Sequence, residues 1–150
     1  MFGGSNTETF IGDLSSLTNG NKMFSLCTSL ETFIGDLSSL EKASGMFNYT
    51  KLSVDSVSCI ADTVAVCPED ATDTYRHLSV SWSAIGELDE PTRVELVGEL
   101  SRIVDKEWTL VTNQELLPLF DTEKYQVVSH TVQPLDLDSE PQTLYCVLKK

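Results

Sequence analysis

Ten residues, ETFIGDLSSL, occupy positions 8–17 and occur again, unchanged, at positions 31–40. Nothing else in the 150-residue sequence limits the fold as tightly. Identical segments 23 positions apart are expected to repeat one local conformation and to bury the same side chains against each other. The flanks keep the period. Met23 and Phe24 return as Met46 and Phe47, and TSL at 28–30 returns as TKL at 50–52, one residue early. Met1 and Phe2 stand at the same place one period earlier, so the first unit begins inside the repeat frame. Its outer apolar end is then expected to be covered by another chain or another part of a longer array, with Phe2 at that joint.

Periods of 20–29 residues belong to the leucine-rich class, in which each unit gives one short strand to a parallel ladder. The strand is expected at ETF, with Phe10 over Phe33, Leu14 over Leu37 and Leu17 over Leu40. Gly12 and Gly35 suit a sharp left-handed bend after the strand. Asp13 and Asp36 suit turns capped by their own side chains, a reading preferred over a shared cation. Phe2, Phe24 and Phe47 recur in register as a core ladder.

The pattern L-x-x-F-x-G-D-L-S-S-L followed by N-G-x-x-M-F-x-x-C-x-x-L resembles the BspA-type leucine-rich repeat. It is most similar to the GDLSSLTNG..MF..C..L variant of surface proteins and large phage proteins from gut Bacteroidetes. Leu30, Phe33, Gly35, Asp36, Leu37, Leu40, Met23, Phe24 and Cys27 carry the match, which spans residues 1 to about 52. Thr7, Ser5 and Thr50 depart from it. The resemblance implies a place in a phage virion or on a bacterial surface, and closing coils that end in a W-T-[LV] strand.

Beyond position 52 the period lengthens. KLSV (51–54) reads as the third strand, and 55–66 as a helix with Asp55 as N-cap and Val57, Ile60, Ala61 and Val64 on one face. HLSVSWS (77–83) reads as a strand. The next helix has Asp89 as cap, Pro91 in its first turn and Val94, Val97, Leu100 and Val104 as its stripe. WTLVTN (108–113) reads as a strand, and 125–134 with 142–150 as a hairpin. The expected architecture is therefore α/β: a right-handed leucine-rich-repeat solenoid over 1–113 with a short parallel strand ladder, helices in its C-terminal coils, and a β-hairpin-like extension over 114–150. Its coils fall near 1–22, 23–45, 46–76 and 77–107, with a closing strand at 108–113.

Composition limits the partners. The net charge of −13 opposes binding to nucleic-acid phosphates. No apolar run approaches the ~20 residues a membrane-spanning helix needs, and the N-terminal stretch lacks the pattern of a signal peptide. Cys27, Cys59, Cys67 and Cys146 form no C-x-x-C pair and read as small apolar fillers. His77 and His130 have no Cys or His at ligand spacing, and the serines of DLSSL lack the G-x-S-x-G context of a nucleophile. Asn48-Tyr49-Thr50 is a formal glycosylation triplet with no secretion signal to support it. No catalytic residue, metal site or cofactor is expected.

Two functions stay open. One is a non-enzymatic interaction module that binds protein or glycan on an outer strand face formed by Glu8, Thr9, Glu31, Thr32, Ser79, Ser81 and Thr109. The other is a structural or assembly piece of a larger repeat protein, joined to other copies or chains through Phe2 and the first unit.

Overall fold

The computed structural model describes residues 5–69, 76–132 and 142–150. Phe2, the expected joint, lies outside the described residues. The two copies of the repeat stack. β1 (Thr9–Ile11) and β2 (Thr32–Ile34) form a two-stranded parallel sheet, with Thr9 opposite Thr32, Phe10 opposite Phe33 and Ile11 opposite Ile34. The next stretch continues the stack through N–H groups of Gly20, Lys22, Phe24 and Leu26 that donate to the carbonyls of Lys42, Ser44, Met46 and Asn48 at 2.8–3.0 Å. Lys22 and Leu26 have φ of 58° and 62°, and one period later Gly45 and Tyr49 have 71° and 59°. The repeat thus reproduces backbone turns as well as side chains, even where three of the four residues are not glycine.

Phenylalanines fill the stack. Phe10 lies parallel to Phe33 with ring centroids 5.6 Å apart, and Phe24 parallel to Phe47 at 5.5 Å. Edge-on contacts join the two pairs, Phe24 to Phe33 at 5.6 Å and Phe33 to Phe47 at 5.0 Å. Gly12 and Gly35 have no positive φ, contrary to the left-handed bend expected of them. They provide space: a Cβ at Gly12 would sit 2.9 Å from the Phe10 ring, and one at Gly35 3.1 Å from the Phe33 ring.

The chain is not a leucine-rich-repeat solenoid. It is an α/β fold built on a five-stranded mixed sheet in the order β3-β4-β5-β7-β6. The strands are β3 (Ala43–Thr50), β4 (His77–Trp82), β5 (Thr109–Thr112), β6 (Tyr125–Val132) and β7 (Gln142–Lys149). β3, β4 and β5 run parallel, whereas β7 pairs antiparallel with both β5 and β6. Residues expected as an appended hairpin therefore supply two strands of the main sheet. The third strand is β3, inside the second copy, and not 51–54, where Leu52 is buried without forming a strand.

The first ladder stops because a helix takes its edge. α1 (Val54–Thr63) lies against β2 with hydroxyls in place of a third strand. The Phe33 N–H donates to Ser56 Oγ at 2.9 Å, and that hydroxyl donates to the Glu31 carbonyl at 2.9 Å. The Leu37 N–H donates to Thr63 Oγ1 at 3.2 Å, and this hydroxyl reaches the Gly35 carbonyl at 3.3 Å. Helix α1 is capped by Ser53, not Asp55, because Ser53 Oγ accepts the Ser56 N–H. Its C-terminal carbonyls, with no basic residue in the last turn of their own helix, are met by Lys106 Nζ at Ala61 O and Val64 O, both 2.6 Å.

α2 (Glu90–Asp105) starts at Asp89 as expected, with Pro91 in its first turn. Its buried stripe is Leu96, Val97, Leu100, Ile103 and Val104, while Val94 is 54% exposed. Both helices join the core with the sheet face that carries Leu78, Val80, Trp82, Leu110 and Val147. Trp82 Nε1–H and Trp108 Nε1–H are satisfied by the carbonyls of Leu52 and Ala65 at 2.9 and 2.8 Å.

Two exposed carboxylates tie turn geometry to pH. Hydrogen bonds from the Ser15 hydroxyl and N–H hold Asp13 below the ordinary aspartate range, and the Thr92 hydroxyl and N–H do the same for Asp89. Groups depressed in the folded state stabilise it above their unfolded value and lose that contribution as pH falls through the folded one. Stability is therefore expected to be flat near neutrality and to decline below about pH 4. Denaturant midpoints across pH 2–7 test this, and the Asp89→Asn variant, which keeps a capping oxygen but not the charge, should show a shallower decline.

Candidate functional site

A shallow cleft of about 200 Å³ carries a coherent set of polar groups. It opens where β3, β4 and β5 end. Asn48 and Tyr49 come from β3, Ser81 from β4, Val111, Thr112, Asn113 and Gln114 from β5 and beyond, and Thr143, Leu144 and Tyr145 from the start of β7. Because β7 runs antiparallel, its first residues lie at the same end as the last residues of β5, with Thr112 opposite Tyr145. The C-terminal end of parallel strands, next to a change in strand order, is where open α/β sheets place ligands.

The rim is pre-set by hydrogen bonds. Asn113 Oδ1 accepts the Trp82 N–H at 2.6 Å and Asn113 Nδ2 donates to the Trp82 carbonyl at 3.2 Å, so one amide side chain extends the end of β4. The Tyr49 N–H donates to Ser81 Oγ at 3.0 Å, and Ser81 Oγ donates to Asn48 Oδ1 at 3.3 Å. Tyr49 is held at φ 59° with its side chain outward and 48% exposed. A bulky residue in the left-handed region costs free energy on the order of 1–3 kcal/mol, and such strain clusters at functional positions. Thr112 is 6% exposed, and its Oγ1 has no hydrogen-bond partner among the described residues.

Among the described residues, the lining contains no carboxylate, imidazole, amine, guanidinium or thiol. Its amides, hydroxyls and two tyrosines hydrogen-bond uncharged polar groups and offer an aromatic face. The volume is below the roughly 300–1,000 Å³ of pockets that enclose a drug-sized ligand. All four cysteines are free, and burial pushes the Cys67 and Cys146 thiols up in pKa, away from nucleophilic character. Among the described residues no three His, Cys, Asp or Glu side chains gather as a metal site. Asp13 and Asp36 each accept the N–H of the residue two positions on, at 2.9 Å.

The expected outer-face residues do not form one surface. Glu8, which precedes β1, and Thr9 are exposed beside Glu31, which precedes β2, and the half-buried Thr32, at the small sheet. Ser79 and Thr109 belong to the large sheet and are buried, at 3% and 7% exposure. Ser81 is also buried, but it lines the cleft. The residues that complete the cleft, Asn48, Tyr49, Thr112, Asn113 and Gln114, escaped the sequence reading. Their polarity at the ends of strands is ordinary for turns, and only the pairing of β7 with β5 brings Thr143 and Tyr145 to them.

No protein-family model matches the sequence, and no curated protein or solved structure matches it either.

Proposed function

We propose that the chain is a non-enzymatic interaction module whose cleft captures an uncharged polar group of a glycan or a protein. The observation that carries this reading is the Thr112 hydroxyl, buried at a cleft whose described lining is uncharged and without a partner of its own among the described residues. A buried hydroxyl without a hydrogen bond is destabilising by about 1–3 kcal/mol, and a ligand that supplies the bond removes that penalty. The exposed Tyr49 beside it supports stacking against the apolar face of a sugar or a peptide side chain. A place in a phage virion or on a bacterial surface is part of the same proposal and rests on the repeat resemblance.

The test is a titration of the isotopically labelled chain with neutral oligosaccharides and with uncharged polar peptides. Binding is expected to perturb the Gln114 and Thr143 amides. Thr112→Val is expected to raise stability by about 1 kcal/mol while weakening binding at least tenfold. Tyr49→Ala should weaken it too. A Thr112→Val chain that binds as tightly as the parent would remove the cleft from the account. The second reading, an assembly piece, is favoured by the edge of β1 that no described residue pairs with.

A further inference from the structure

We propose that the outer edge of β1 accepts one further strand, parallel and in register, from an extended segment carrying the sequence ETFIGDLSSL on another polypeptide. The geometry is already present once inside the molecule. β1 meets β2 through the groups of residues 8, 10 and 12: the Thr32 N–H donates to the Glu8 carbonyl at 3.2 Å, and the Gly12 N–H to the Ile34 carbonyl at 3.1 Å. The backbone groups of Thr9 and Ile11 therefore point away from β2. They are the counterparts, one period earlier, of the Thr32 and Ile34 groups to which β1 itself is bound. Among the described residues nothing pairs with them.

The sequence of the two edges is the same, so whatever docks on β2 in this way is chemically suited to dock on β1. That occupant is known: it is ETFIGDLSSL. Side chains agree with the backbone. Ile11 is 69% exposed, whereas Phe10 stacks on Phe33 on its inner side. An added strand would place a third isoleucine beside Ile11 and extend the row begun with Ile34. Exposed sheet edges recruit partners by this kind of strand addition, in which main-chain bonds give affinity and alternate side chains give selectivity.

A folded second copy does not offer the required edge in the parallel sense. Its residues 8–12 are engaged by its own β2, and its residues 31–37 by the hydroxyls of α1. The donor is therefore an extended segment and not the folded domain.

The experiment titrates the labelled full chain with the capped peptide ETFIGDLSSL at about 0.15 M salt, which screens the acidic charges on both partners. Shifts centred on the Thr9 and Ile11 amides are the expected result. Two changes test the register. Replacing the peptide's glycine by sarcosine removes the donor that corresponds to Gly12 N–H and should weaken binding at least tenfold. Thr9→Pro removes an outward N–H from the first residue of an edge strand, a place where proline is tolerated, and should weaken it similarly. The sarcosine peptide keeps the proposal testable if Thr9→Pro disturbs the fold. Absence of binding, shifts centred on the cleft, equal affinity of the sarcosine peptide, or self-association of the chain through β1 without peptide would each overturn it.

Discussion

Phe33→Ala is expected to lower the unfolding free energy by about 3–5 kcal/mol, enough to consume much of the stability of an ordinary domain. Phe33 is fully buried and touches three other rings: Phe10 in parallel, and Phe24 and Phe47 edge-on. Phe33 and Phe24, which also meets Phe10 edge-on at 5.1 Å, each join both stacked pairs. Truncation leaves a cavity that neither backbone can close, since β2 is fixed to β1 on one edge and to α1 on the other. The midpoint of thermal unfolding should fall on the order of 10 °C. Phe10→Ala is the comparison. Phe10 is only half-buried, so its loss should be clearly smaller. Equal losses at the two positions would mean that the deeper burial of Phe33 adds nothing to its contribution.

Ser56→Ala is the second large effect, about 2–4 kcal/mol, from removal of a single oxygen. Ser56 is buried, and its hydroxyl both accepts the Phe33 N–H and donates to the Glu31 carbonyl. Alanine leaves a buried N–H without its acceptor and takes a donor from the carbonyl. Ser53→Ala serves as the reference. It removes an N-cap at the start of the same helix, a loss of about 1 kcal/mol in most proteins. Denaturant titration of the two variants should place Ser56→Ala well below Ser53→Ala. If the two coincide, the hydroxyls of α1 do not substitute for a strand, and the edge of β2 is held by packing alone.

That substitution explains why the repeat could be read and its extent could not. Identity at positions 8–17 and 31–40 fixes what stacks on what, and the pairing of Phe10 with Phe33 follows the expected register. Helix α2 was legible from Asp89, Pro91 and the spacing of its apolar residues, with the stripe displaced from Val94 towards Leu96 and Ile103. The end of the small ladder was not legible. Ser56 and Thr63 look like unremarkable polar residues in a helix, and their role depends on where the helix is laid. β3 was also misplaced, since GMFNYT carries the repeat signature of the second unit and shows no sign that it begins a larger sheet. The cleft depends on β7 lying beside β5, a contact between residues more than thirty positions apart that no local pattern encodes.

The order of strands also has a consequence for biosynthesis. β7 sits between β5 and β6, although β6 precedes it in the chain. As residues leave the ribosome at about 5–20 per second, the 125–132 segment emerges with no neighbour to receive it. β3, β4 and β5 can associate beforehand through their parallel crossovers, with α1 and α2 between them. The edge of β5 then stays open until β7 arrives to pair with both strands at once. Completion of the sheet is thus a late, concerted event that depends on a strand of eight residues, and a nascent chain halted before residue 142 exposes an unpaired edge to whatever chaperone or neighbour meets it first.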